Sequence, residues 1–174
     1  VPDWLTAREQ EFVDRGYCIL HIDSSIPGIM KDVDQKKVQQ VVTARRKALE
    51  KFQNYTMANL GQWSIVAIPN SEWALKVFPQ EQPDTAVEKL WDAILASVRI
   101  QDQQDPIPLW EKHNRQLSER NDWLNRQRFA ALHFKNQKGT DLIVELAEGH
   151  LWEGGCEKSQ SGVVFNPNMP TEEN

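Results

Sequence analysis

The sequence predicts an α/β fold: a three-layer, partly parallel sheet with flanking helices, followed by short antiparallel strands. Three observations carry this. Two short apolar runs, 17–22 and 62–68, are separated by a long amphipathic stretch, which is the strand–helix–strand order of a parallel unit. The first run is nearly continuous in apolar residues, as a strand buried on both faces is. From Phe129 onward the pattern changes to short segments broken by glycine-containing turns, the mark of antiparallel strands. That change divides the chain into an α/β part, 1–127, and a strand-and-loop part, 128–174.

The elements follow in order. Residues 6–15 read as a short helix with Leu5, Phe12 and Val13 on its inner face, ended by Gly16. Tyr17-Cys18-Ile19-Leu20-His21-Ile22 is the first strand, with Cys18 as a buried small hydrophobe. Pro27-Gly28 is a turn. Asp34 caps a long helix running to about Tyr55, in which Val38, Val41, Val42, Arg45, Leu49 and Phe52 recur at helical spacing. The second strand, 62–68, stops at Pro69-Asn70, and Ser71 caps a short helix. Thr85 and Glu88 have capping-box spacing before the stripe Val87, Leu90, Trp91, Ile94, Leu95 and Val98. A helix over 107–126 places Trp110, His113, Leu117 and Leu124 on one side. Residues 129–134 and 141–146 read as strands, the second alternating as a strand with one buried face does. A short strand closes the pattern at 163–165.

Bulk properties bound the function. The 174 residues suffice for one domain, and seven Trp supply large buried area in an otherwise polar chain. A net charge of −5 with no basic run argues against a nucleic-acid scaffold. No apolar segment approaches the roughly 18 residues of a membrane span. Two distant cysteines, Cys18 and Cys156, make no disulfide framework, and a cytoplasmic setting is expected. Val1-Pro2-Asp3-Trp4 has neither the basic nor the apolar region of a signal peptide.

Few residues propose chemistry by themselves. His150, Glu153 and Cys156 are potential ligands, but H-x-x-E-x-x-C lacks a second ligand pair, and a tight loop with a packed Trp152 is the expectation. His133 reads as a hydrogen-bonded structural residue and His113 as a surface or partly packed one. His21 ends the first strand, where α/β sheets place ligands. Arg45-Arg46-Lys47 reads as a solvated helix face. Phosphate-loop, dinucleotide and nucleophile-elbow fingerprints are absent. The adjacent carboxylates Glu172-Glu173 repel one another unless a cation or proton relieves them. They are either a solvated acidic end or half of a site.

A resemblance decides between these. Tyr55-Thr56-Met57-Ala58-Asn59, followed by Trp63-Ser64-Ile65-Val66-Ala67-Ile68-Pro69, resembles the aminopeptidase T / aminopeptidase S (PepS-like) metallopeptidase family. So do Trp73-Ala74 with Val77-Phe78-Pro79, Ala86-Val87-Glu88-Lys89-Leu90-Trp91, Asp122-Trp123-Leu124-Asn125 and Gly139-Thr140-Asp141-Leu142. The series continues with His150-Leu151-Trp152-Glu153-Gly154-Gly155 and ends with Asn168-Met169-Pro170-Thr171-Glu172-Glu173.

The resemblance implies an internal, N-terminal-side fragment of a cytoplasmic, homodimeric enzyme. That enzyme removes N-terminal residues from peptides with two divalent metal ions, zinc, cobalt or manganese, and has no nucleic-acid or membrane partner. It also implies that Glu172 or Glu173, with Glu172 preferred, is a metal ligand. The other ligands, a second Glu, two His, a Tyr and an Asp, lie further downstream, so the chain alone is expected to be inactive and to bind no metal. A metal pair lowers the pKa of a bridging water and polarises the scissile carbonyl, and one glutamate cannot hold two ions. The competing expectation is a non-catalytic binding or oligomerisation module. A dinucleotide-binding domain has the right alternation but lacks the glycine fingerprint.

Overall fold

The computed structural model describes residues 1–100 and 104–170. These residues form two compact units. One comprises described residues of Val1–Asp105 together with Cys156–Pro170; the other is Pro106–Gly155.

The first unit carries helices α1 (Asp3–Arg15), α2 (Gln35–Ala48), α3 (Glu50–Met57), α4 (Ser71–Val77) and α5 (Pro83–Ser97). Its sheet is built from β1 (Ile19–Asp23), β2 (Trp63–Ala67) and β7 (Asn168–Met169) in the order β1-β2-β7, all parallel. A small antiparallel pair, β5 (Glu157–Lys158) with β6 (Val164–Phe165), forms a separate two-stranded sheet in the same unit. The second unit consists of α6 (Pro106–Gln127) and the hairpin β3 (Ala131–Lys135) with β4 (Asp141–Glu145). A sheet that is parallel throughout its described strands, helices around it and separate short antiparallel pairs make up the α/β class expected.

Local chemistry explains the boundaries. Gly16 takes the left-handed conformation (φ 64°), and Tyr17 N donates to Phe12 O, closing α1 as a glycine cap does. Asp34 accepts from Lys36 N and starts α2 as expected. The anticipated single helix to Tyr55 breaks at Leu49, which is buried and leaves helical geometry. The break re-aims α3 so that Tyr55 is buried, whereas α2 buries nothing; the expected stripe Val41 and Val42 stays exposed.

Two expected caps are corrected. The cap of α4 is Asn70 rather than Ser71: Asn70 is extended, and its Oδ1 accepts from Trp73 N at 2.8 Å. Asn70 Nδ2 also donates to Ser24 O at 2.8 Å, so one side chain starts the helix and anchors the loop after β1. Asn70→Ala is expected to cost about 1 kcal/mol or slightly more, read as a lowered urea midpoint at unchanged m-value. The Thr85–Glu88 box does not form, because α5 begins two residues earlier at Pro83, with Gln82 as cap. Proline's fixed φ suits the first turn and leaves Thr85 inside the helix.

The core of the first unit lies between α4 and α5. Ala74, Ala86 and Leu90 are buried there, with Trp73, Leu75, Phe78, Val87 and Ile94 packed against them. Two alanines with no exposed surface let the helix backbones approach closely.

The strands differ from expectation in burial. Leu20 and Ile22 of β1 are 61% and 54% exposed, and Cys18 is exposed, not buried. Among the described residues strand β1 pairs with β2 on one side only, and these side chains are left uncovered. Both strands of the hairpin are exposed except at Leu132, so the one buried face expected of β4 is not found: Leu142, Ile143 and Val144 are all exposed. Conversely His113, expected near the surface, is buried and meets the Trp110 ring edge-on at 5.7 Å. Among the described residues no helix is long and apolar enough to cross a membrane.

Candidate functional site

The three parallel strands of the first unit run the same way, so they share one carboxyl edge. Asp23 ends β1 opposite Ala67, which ends β2. β7 joins through Ile65 N donating to Pro167 O at 2.8 Å, with Val66 opposite Met169. Met169-Pro170 therefore leaves the sheet at the edge where Ser24 and Ile68 emerge. In open parallel sheets this edge is where ligands bind. The two candidate metal ligands, Glu172 and Glu173, follow Pro170 in sequence and lie outside the described residues.

The described part of the edge is a polar turn. Asp23 Oδ1 accepts from Ser25 N at 3.0 Å and from the Ser25 hydroxyl. The Ser25 hydroxyl, then its amide, hold the Asp23 carboxyl below the ordinary value, so the half-buried Asp23 is a carboxylate at neutral pH. Ile68 N donates to Asp23 O at 2.9 Å, tying the two strand ends together. Lys76 Nζ donates to Pro27 O across the same region. These contacts fix loops. They do not converge on a vacant point, as a nucleophile, base and donor set would.

What holds the path to β7 in place is a hydrogen-bonded hub that the sequence reading missed. Asn59 is in the left-handed conformation (φ 50°), and its Oδ1 accepts from Trp63 Nε1 at 3.2 Å. Its Nδ2 donates to Glu157, and its carbonyl accepts from Gln160 N at 2.8 Å. Nearby, Gln62 Nε2 donates to Ser159 Oγ at 2.8 Å and to Ser161 Oγ at 3.1 Å. The β5–β6 pair is thus strapped to the turn before β2, and the strap delivers the following residues to the sheet. Below it, Tyr55 donates to Tyr17 O at 3.2 Å. Burial, and then the electrostatic influence of nearby Cys18, push the Tyr55 phenol above its ordinary value and keep it a donor.

The other candidates are not gathered into a site. His21 sits in the middle of β1, not at its end, and is exposed. His150 Nδ1 bonds Ala147 O at 2.8 Å, and its ring meets Trp152 edge-on at 5.9 Å. The loop after it is pinned to α6: Asn125 exchanges bonds with both Trp152 O (3.0 Å) and Trp152 N (2.7 Å), and Asn121 donates to Gly154 O. That is the packed loop expected of the H-x-x-E-x-x-C segment. His133 Nε2 lies 2.6 Å from Asp141 Oδ1, a hydrogen-bonded His as anticipated. Arg45, Arg46 and Lys47 are exposed in the last turn of α2, where cations suit the helix dipole.

Among the described residues each unit contains a hollow. One of about 320 Å³ is lined by Thr6, Gln10, Leu49, Phe52 and the buried Glu9. Glu9 is paired with Arg8, whose guanidinium lies 5.7 Å from the Trp4 ring centroid. No periodicity in the sequence singles Glu9 out. The other, of about 650 Å³, lies beside Arg128, Phe129, Leu146, Glu148, His150 and Leu151. Among the described residues no three His, Cys, Asp or Glu side chains come together as metal donors. The described residues alone do not fit a metal pair.

Comparison with known proteins supplies what the geometry does not. The family described as "Thermophilic metalloprotease (M29)" matches residues 1–174. The chain is similar to Aminopeptidase T of Thermus thermophilus, 40% identical over 172 residues, covering 99% of this chain and 42% of that protein. It is also 40% identical over 164 residues to Aminopeptidase 2 of Geobacillus stearothermophilus, covering 94% of this chain and 39% of that one. The solved structure of wild-type AmpT from Thermus thermophilus superposes with a TM-score of 0.84 at 36% identity, over 98% of this chain and 41% of that one. The chain spans about two fifths of the length of these relatives.

Proposed function

The chain belongs to the M29 family of thermophilic metalloproteases, and on that premise we propose that it is part of a longer, dinuclear metal-dependent aminopeptidase that removes N-terminal residues from peptides. The observation that carries the reading is the family match over residues 1–174, with relatives named as aminopeptidases aligned along almost the whole chain. A second observation supports it. β7 runs parallel to β2 and directs the chain off the carboxyl edge of the sheet immediately before Thr171-Glu172-Glu173.

In this reading Glu172 is a metal ligand and Glu173 its neighbour, and the metals are zinc, cobalt or manganese. The remaining ligands belong to the part of the longer protein outside this chain. The role of the described residues is to build the sheet edge and hold the path to the glutamates through Asn59 and Gln62. We keep the division into an α/β part, 1–127, and a strand-and-loop part, 128–174, leading toward a catalytic domain; the two compact units instead group α6 with the hairpin. The longer enzyme acts as a homodimer in the cytoplasm on peptides, without nucleic-acid or membrane partners.

Release of chromophore from aminoacyl-p-nitroanilides tests the proposal, with cobalt, zinc or manganese added in turn. The longer protein is expected to turn over, and the purified 174-residue chain is not. Turnover by the chain sinks its assignment as an inactive part. Failure of the longer protein on every aminoacyl group and metal favours the binding or oligomerisation module.

A further inference from the structure

We propose that one face of the β3–β4 hairpin is a docking surface for the rest of the longer polypeptide. The register sets Leu132 opposite Val144 and Phe134 opposite Leu142. Because side chains alternate across a strand, these four lie on one face in directly facing pairs. The other face pairs Ala131 with Glu145, His133 with Ile143 and Lys135 with Asp141, and Asp141 bonds His133 at 2.6 Å and Lys135 at 3.2 Å. That face is mostly polar or charged, with Ile143 as its one large apolar side chain, 62% exposed. The first face is purely apolar and still wet: Phe134 is 50%, Leu142 53% and Val144 40% exposed.

A two-stranded hairpin has little stability of its own and needs a third strand or a packed face. Among the described residues the hairpin is a sheet of two strands only. A contiguous apolar face of this kind marks an interaction site.

The size of the face and the length of the relatives select the occupant. Only Phe134 of the four is aromatic, and at 50%, 53% and 40% exposure Phe134, Leu142 and Val144 each offer about half of a side chain's area or less, so the face falls short of the roughly 800 Å² per partner that a stable association of separate chains buries. A small face is sufficient for a partner on the same polypeptide, held at high local concentration by the connection. About three fifths of each relative lies outside the match, so the longer protein has such a partner available. This inference rests on the reading that the chain is part of a longer protein.

Thiol protection tests it. Val144→Cys and Ile143→Cys are near-isosteric neighbours on opposite faces, introduced with Cys18 and Cys156 replaced by Ser because both native thiols are exposed. Their rates with a soluble aromatic disulfide are compared in the 174-residue chain and in the longer protein. The Val144→Cys thiol is expected to react at least about tenfold more slowly in the longer protein, while Ile143→Cys changes less than about twofold. Equal rates for Val144→Cys in the two proteins overturn the proposal. Equal slowing at both positions overturns the assignment of a single face. Protection of Val144→Cys in the 174-residue chain that grows with its concentration replaces the occupant with a second copy. Protection there at every concentration replaces it with the chain itself. Peptide turnover is measured on the same longer protein: turnover without protection fails only the docking surface, and protection without turnover fails only the peptidase reading.

Discussion

Gly61→Ala is expected to destabilise the chain by about 3 kcal/mol, at the upper end of overpacking costs. A Cβ at this position falls 1.9 Å from the Tyr55 hydroxyl oxygen, 2.4 Å from Cζ and 2.8 Å from Cε1. The ring cannot swing aside cheaply. Tyr55 is 5% exposed, and its hydroxyl is committed to Tyr17 O. The space that Gly61 leaves empty is the space the tyrosine occupies, so what matters is the missing side chain rather than backbone freedom. Urea unfolding followed by tryptophan fluorescence checks this. Tyr55→Ala should remove most of the penalty, so the double variant should be less unstable than the sum of the singles by about 2 kcal/mol. A loss below about 1 kcal/mol for Gly61→Ala alone would mean that the ring relaxes freely, contrary to this packing.

Glu172→Gln in the longer protein is expected to lower kcat/KM for an aminoacyl-p-nitroanilide by about 10³-fold, and Glu173→Gln by the roughly 10–100-fold typical of a residue that only supports a ligand. An amide keeps the size of the carboxylate but brings no charge to a divalent ion. Metal retained after dialysis, measured by atomic absorption, should fall in the same order, while the thermal midpoint of the metal-free protein stays unchanged. Equal losses at both positions, or the reverse order, would move the ligand assignment to Glu173 or to both.

The order of elements was legible because it rests on local periodicity. The helix over 107–126 matches α6 within a residue at each end, and Asp34 caps where its side chain predicts. Misreadings arose where a distant or competing group decides. Pro83 begins α5 before the Thr85–Glu88 box can act, and Asn70 reaches Trp73 N before Ser71 does. Composition marked β1 for burial, but what would cover Leu20 and Ile22 is not among the described residues. β7 was invisible because Asn168-Met169 between Pro167 and Pro170 has turn composition and becomes a strand only by pairing with β2. The Asn59 hub was missed for the same reason: its partners, Glu157 and Gln160, are remote in sequence. The candidate glutamates were found through an ordered series of family tags, since no spacing of donors within the chain identifies them.

The position of β7 also sets a timetable for synthesis. The central strand β2 receives one neighbour from the preceding β1 but the other from near residue 168. At ordinary elongation rates the ribosome needs roughly 5–20 s to make the polypeptide between Val66 and Met169. During that interval one edge of β2 is open, and a nascent chain with an unpaired strand is a substrate for chaperones and for wrong pairing. The α6 and hairpin unit is complete before the unit that surrounds it in sequence, so the order of completion on the ribosome reverses the order in which the two units begin.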